Sequence, residues 1–275
     1  MFCIKIFHYQ FWTIRIGDPV YNFEGLESRH NNKYSTGVET QLLVRQEKTS
    51  ENNKPGNALI VFVRYPEAGK VKTRLAEGTS NEFAGSVYKL CAERIFSEIS
   101  FLKNFNKYIF YSEEKDKEKI IEWTNNNFFY YHQVGDDLGE RMFNAFEFVF
   151  NQQNRQAIIV GTDIPDLSKE IILEAIDSLD KNDLVIGPSH DGGYYLLGMK
   201  KVHSGLFEDI EWSSNSVFSS TVQKANASNL KIKELQMLRD IDTKNELDNW
   251  LLQAGNMELK NKILSLLKKQ NLNDH

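Results

Sequence analysis

Four short apolar runs constrain this chain more than any other feature. Ala58–Val63 (ALIVFV), Lys107–Ser112 (KYIFYS), Ala157–Gly161 (AIIVG) and Asp183–Gly187 (DLVIG) all have strand length. Apolar runs without regular polar alternation suit strands covered on both faces, as in a parallel sheet. Helical periods lie between them. Phe83, Val87, Leu90, Cys91, Ile95 and Ile99 recur at three- and four-residue spacing and predict a helix from Glu82 to Ile99. A second stripe, Met142, Ala145, Phe146, Val149 and Phe150, predicts one from Leu138 to Phe150. A third, Ile171, Ile172, Ala175, Ile176 and Leu179, follows Ser168 as its expected N-cap. Strands alternating with helices predict an α/β domain with a mainly parallel sheet flanked by helices.

The later part reads differently. Gly192–Met199 (GGYYLLGM) predicts another strand, and Leu230–Leu235 (LKIKEL) alternates like an edge strand with one wet face. Thr243 with Glu246 forms a capping box for a helix ending near Leu252, and Asp242 adds negative charge at its positive end. Residues 258–269 predict a last amphipathic helix rich in Lys.

Composition narrows the function. With 275 residues, 41% hydrophobic and 26% charged, the chain can bury a substantial core and is not wholly disordered. A net charge of -5 speaks against general nucleic-acid binding, which needs a basic face. Cys3 and Cys91 are too few for a disulfide scaffold or a cysteine zinc site. No apolar run approaches the roughly 20 residues of a membrane helix, so no span is expected and a cytoplasmic location is. Met1–Ile16 is apolar and aromatic, but Lys5, His8, Gln10 and Arg15 break any signal-peptide core. Its alternation reads as strand, with an extension irrelevant to the chemistry as the equal alternative. Residues 46–57 (QEKTSENNKPGN) read as a linker or exposed loop. The expected division is an N-terminal extension over 1–56, a main domain over 57–255, and a C-terminal helix and tail over 256–275.

Five motifs could carry chemistry. Arg64–Leu75 (RYPEAGKVKTRL) follows the first strand and supplies Gly69 with Lys70, Lys72 and Arg74. A flexible backbone followed by cations at a strand end suits phosphate, and a solvated basic turn is the bland alternative. It is not a P-loop, because Val71 stands where Ser or Thr should follow Lys70. Gly161–Leu167 (GTDIPDL) places Asp163 at a strand end, where a carboxylate can hold a divalent ion. Asp166, just before a helix, fits a helix-start device better.

In Gly187–Gly198 (GPSHDGGYYLLG), Asp191 is a candidate second metal ligand or acceptor-side group, although DGG alone is commonly a hairpin turn. In Gln133–Met142 (QVGDDLGERM), Gly135 or Gly139 can bring backbone near a nucleotide and Arg141 can reach phosphate; the acidic residues also suit a helix start. Ile210–Ser214 (IEWSS) puts Trp212 in a loop, able to stack on a sugar or base or simply to be buried.

Taken together, LIVFVRYPEAGKVKTRL, DLGERM, GTDIPDL, VIGPSHDGGYYLLGM, the EW at Trp212 and DIDTKNEL resemble the bacterial rSAM/selenodomain-associated transferases, in order, from Asn57 to Leu251. These are glycosyltransferases of the nucleotide-diphospho-sugar transferase superfamily. Residues 1–53 fall outside the resemblance. The resemblance implies a single Rossmann-like GT-A-type domain with a mixed, mainly parallel sheet. It implies Gly69, Lys72 and Arg74 in the nucleotide loop, Asp163 holding Mg²⁺ or Mn²⁺, and Asp191 as a second metal or acceptor-side carboxylate. Arg64 stands where relatives often carry Lys, and DIPD replaces a plain DxD.

The expected reaction is metal-dependent glycosyl transfer from a nucleotide sugar to a small-molecule or glycan acceptor. Cations and metal would stabilise the departing phosphate. Asp191 is the first choice of general base, Glu211 the reserve, and Trp212 lies on the acceptor side. A nucleotidyltransferase releasing pyrophosphate from an NTP has the same fold and stays open. So does a non-catalytic nucleotide- or partner-binding module.

Overall fold

Strand β1 (Asn57–Val63) explains the first apolar run. Leu59, Val61 and Val63 enter one core while Ala58 and Ile60 enter another, so no position along it is left for a polar side chain. The computed structural model describes residues 56–253 and 255–273, with side chains up to residue 270. The strand reading of Met1–Ile16 and nearly all of the linker lie outside these residues.

After β1 the chain forms α1 (Thr73–Glu77), α2 (Asn81–Ser100), β2 (Phe105–Tyr111), α3 (Lys117–Trp123) and β3 (Phe129–His132). It continues through α4 (Leu138–Asn151), β4 (Gln156–Val160), α5 (Lys169–Ser178), β5 (Leu184–Pro188) and β6 (Tyr194–Met199). The remainder is α6 (Val217–Ala227), β7 (Ile232–Glu234), α7 (Lys244–Gln253) and α8 (Met257–Asn273). The strands make one seven-stranded sheet in the order β3-β2-β1-β4-β6-β5-β7. Every pairing is parallel except those of β6, which runs antiparallel to both β4 and β5. This is the mixed, mainly parallel sheet that the sequence predicts.

Helices cover both faces. Ile95 and Ile99 of α2, Ile120 of α3 and Ile172 and Ile176 of α5 pack on one face. Met142, Phe146 and Val149 of α4 and Ala225 of α6 pack on the other. A third cluster gathers Leu75, Phe83, Val87, Leu247, Trp250, Leu259 and Ile263, fastening α1, α7 and α8 to the N-terminal half of α2.

Local chemistry sets the helix starts. Ser80 Oγ accepts from Phe83 N at 3.1 Å and opens α2. Asp137 accepts from Glu140 N at 2.8 Å while Glu140 accepts from Asp136 N at 2.9 Å, fixing the start of α4. Thr243 and Glu246 form the predicted capping box, with Glu246 Oε2 2.7 Å from Thr243 N and Thr243 Oγ1 3.2 Å from Glu246 N.

Several boundaries differ from the sequence reading. Ser168 stands at the start of α5 but its hydroxyl makes no cap bond there. Strand β6 starts at Tyr194, because Ser189–Gly193 form the turn, and the expected edge strand shortens to Ile232–Glu234.

Candidate active site

The chain lays down β1, β2 and β3 outward in one direction, then returns to place β4 on the other flank of β1. Loops after β1 and β4 therefore diverge, and a crevice opens between them at the strands' carboxyl ends. The RYPEAGK and GTDIPD motifs both sit there. The space over Gly161 is open, since a Cβ built on it would meet nothing within 4 Å.

Tyr88, from α2, fixes this edge. Its hydroxyl accepts from Arg64 N at 2.9 Å and lies 2.9 Å from Thr162 Oγ1. It thus joins the end of β1 to the residue before Asp163. Burial pushes its phenol up to about 12, so it remains neutral.

Lys72 is the centre of the charge arrangement. Its backbone is left-handed, with φ of 49°, and its side chain is only 2% exposed. The ammonium lies 3.3 Å from Asp163 Oδ1 and donates to Asp242 Oδ1 at 2.8 Å. Burial opposes the charge, but Asp163 and then Asp242 outweigh it, and the lysine is held above its ordinary pKa. Arg74 approaches Asp242 Oδ2 at 3.7 Å and is mostly exposed. Asp242 is aimed by the capping box, whose Glu246 also accepts from Asp242 N at 2.9 Å. Reading Asp242 only as a helix-start charge missed that its carboxylate turns toward Lys72. The signal was non-local, since 170 residues separate the pair.

The DGG segment is a hairpin turn between β5 and β6, and the same turn brings Asp191 to this end of the sheet. Asp191 accepts from Gly193 N at 2.9 Å and from the Ser189 hydroxyl, while the residue itself stays exposed. Leu238 bridges to the turn through His190 N and Pro188 O, bringing Asp240 alongside. Asp240 is 7% exposed. Burial first, then the charges of Asp191 and Glu246, push its carboxyl up to about 6.

A carboxyl raised in the folded state adds stability below its unfolded pKa, and that stability is lost as pH rises through the folded value. Asp240→Asn is therefore expected to raise the melting temperature at about pH 7.5, by an amount that shrinks toward zero near pH 4. A gain independent of pH across thermal unfolding scans would contradict this assignment.

Other sequence candidates stand as follows. Gly69 adopts φ of +78°, and Lys70 pairs at the surface with Glu67 at 3.0 Å. Arg141 Nε donates to the Gly135 carbonyl at 3.0 Å, so part of its guanidinium serves the loop. Gly139 has a packing reason rather than a nucleotide-facing one: a Cβ there would come within 2.4 Å of the Trp212 indole. Trp212 is accordingly half-buried against the start of α4. Glu211 is exposed. Asp166 is a tie within the scaffold, accepting from Trp250 Nε1 at 2.9 Å.

Among the described residues no group of three or more His, Cys, Asp or Glu side chains could hold a metal ion. The donor set nevertheless fits Mg²⁺ or Mn²⁺ in one manner. Asp163, half-exposed, and Asp242 offer hard carboxylate oxygens on an open crevice, enough for an ion whose other ligands are phosphate and water.

Sheet order reversing at β1/β4, with a carboxylate–lysine cluster at the strand ends, makes this an α/β domain whose candidate site lies at its topological switch point. A family model described as "Uncharacterized protein conserved in bacteria (DUF2064)" matches residues 97–214. The crystal structure of a protein provisionally named a nucleotide-diphospho-sugar transferase, from Desulfovibrio desulfuricans G20, is 30% identical with a TM-score of 0.73. The match covers 78% of this chain and 95% of that one. The chain belongs to the same family as this Desulfovibrio protein. A 4-diphosphocytidyl-2C-methyl-D-erythritol synthase from Anaerococcus prevotii DSM 20548 is a more distant likeness, at 14% identity and TM-score 0.49 over 72% of this chain and 96% of the other. No curated protein matches the sequence. Among the described residues no helix is long and apolar enough to cross a membrane.

Proposed function

We propose that this protein transfers a group from a nucleotide-activated donor, and that the group is a glycosyl unit carried by a nucleotide sugar. The observation that carries the reading is the Lys72–Asp163–Asp242 cluster under the open β1/β4 crevice. The 30% identity to the Desulfovibrio protein supports the same class. Asp163, with Asp242 beside it, would hold the divalent ion, which when bound supplies positive charge to the donor diphosphate.

The remaining roles belong to the chain's own groups. Arg74 and Lys70 lie on the exposed rim, where they can accompany a phosphate. Lys72 offsets the two carboxylates from beneath. Asp191, held by its turn, is the proposed base for the acceptor hydroxyl, with Glu211 in reserve. Trp212 would border the acceptor side. The acceptor is a hydroxyl-bearing small molecule or glycan.

The test is a thermal-shift screen of nucleotide sugars and NTPs with and without Mn²⁺, followed by product analysis. Stabilisation by one nucleotide sugar at 100 times its dissociation constant adds about 2.7 kcal/mol and is expected only with metal. Turnover should release a nucleoside phosphate. Pyrophosphate release from an NTP would instead establish nucleotidyl transfer, and no shift with any nucleotide would sink both enzyme readings.

A further inference from the structure

Asp163 and Asp242 already share a cation. The Lys72 ammonium stands 3.3 Å from one and 2.8 Å from the other, with its side chain 2% exposed. Burying an ammonium is unfavourable unless paired charges and hydrogen bonds repay it. Lys72 also accepts a left-handed backbone, φ 49°, a conformation that side chains other than glycine adopt at a cost. A merely space-filling residue would need neither. Lys72 is the buried cation between the two carboxylates, and the mostly exposed Arg74 approaches Asp242 from outside at 3.7 Å, so the acidic pair is already offset by cations. No third acidic, His or Cys ligand among the described residues joins them to make a metal-binding group.

We infer that Lys72 is a built-in counter-ion that keeps the free protein from taking up Mg²⁺ or Mn²⁺, so that the ion enters only together with a diphosphate. The inference rests on the nucleotide-donor reading of this crevice. A hard dication surrenders its water reluctantly and gains too little from a carboxylate pair already offset by a buried ammonium. A diphosphate changes the balance by adding both negative charge and oxygen ligands. Linkage then requires the reciprocal effect, in which the ion strengthens diphosphate binding by the same factor. The site thereby discriminates against metal-free nucleotides and nucleotide-free metal.

The experiment follows free Mn²⁺ by its paramagnetic resonance signal while the full chain is titrated, first with the metal alone and then with inorganic pyrophosphate present. Wild type is expected to show no saturable Mn²⁺ site alone and a clear one with pyrophosphate, after correction for Mn²⁺–pyrophosphate pairing. Lys72→Met removes the charge and keeps the aliphatic stem. It should bind Mn²⁺ alone roughly tenfold more tightly or better, as expected when a unit charge about 5 Å from a dication is deleted even at the dielectric constant of water. Lys72→Arg should behave as wild type.

A folded Lys72→Met protein with unchanged Mn²⁺ affinity overturns the inference. So does wild type that takes up Mn²⁺ equally well with and without pyrophosphate, a result that decides the matter if Lys72→Met fails to fold. If the Mn²⁺ behaviour is as expected but no nucleotide sugar or NTP binds, the donor reading fails and the counter-ion stands.

Discussion

Asp163→Ala is expected to abolish metal-dependent nucleotide binding and to leave the fold intact. The carboxylate is half-exposed on the crevice and contributes no core packing, so its removal opens no cavity. Lys72, buried, loses one of its two carboxylate partners but keeps the 2.8 Å bond to Asp242, so the stability loss should stay below the about 3–5 kcal/mol of a buried charge left unpaired. Function should suffer far more, because removing one preorganised group that stabilises developing charge lowers turnover by about 10²–10³. The measurement pairs nucleotide-sugar titrations, with and without Mn²⁺, with thermal unfolding of both proteins. Unchanged metal-dependent binding in a folded Asp163→Ala protein would remove this residue from the site.

The second large effect concerns the turn that carries Asp191. Gly192 has φ of +89°, and a Cβ built there would lie 2.1 Å from the Asn215 carbonyl oxygen. Its own carbonyl accepts from Phe218 N at 2.9 Å, at the start of α6. Gly192→Ala must therefore either adopt an unfavourable backbone or push two main-chain segments apart. The three nearest atoms are all main chain of Asn215, none the far end of a flexible side chain. The expected loss is about 3 kcal/mol, from left-handed strain and overpacking together. Urea unfolding should show it as a lowered midpoint, with Gly205→Ala as a control because a Cβ there meets nothing within 4 Å. A midpoint equal to wild type would show that the turn can part from Asn215 freely.

How much of this was legible in the sequence depended on whether the determining contacts were local. The buried strands could be read because β1, β4, β5 and most of β6 are covered on both faces, which leaves uninterrupted apolar letters. The helices α2, α4 and α5 could be read because each buries a single stripe. The capping box at Thr243 was legible for the same reason, being complete within four residues. Strand β3 was not: FYYH is four residues on a sheet edge, and none of them is fully buried. Helix α1 has only five residues and borrows its one buried side chain, Leu75, from the motif read as a phosphate loop.

The site divided along the same line. Strand-end positions of Asp163 and Asp191 followed from their motifs. The fate of the three cations did not, because Lys70, Lys72 and Arg74 look alike as letters. The fold then exposes Lys70 and Arg74 and buries Lys72. Asp240 and Asp242 gave no local signal of their place beside Asp191 and Lys72, since tertiary contacts across the sheet put them there.

The distance along the chain between Lys72 and Asp242 bears on how the molecule is made. A ribosome delivers the lysine first and its hydrogen-bonded partner 170 residues later, behind every strand of the sheet. Until that segment emerges, the nascent domain must accommodate an ammonium with at most one carboxylate, Asp163, beside it. The crevice therefore acquires its charge balance only after the whole sheet has been synthesised. A message truncated ahead of Asp242 yields a chain that retains its sheet-forming sequence and cannot finish the site. The C-terminal segment acts as the closing clasp of this charge cluster, and synthesis must run past it before the cluster is complete.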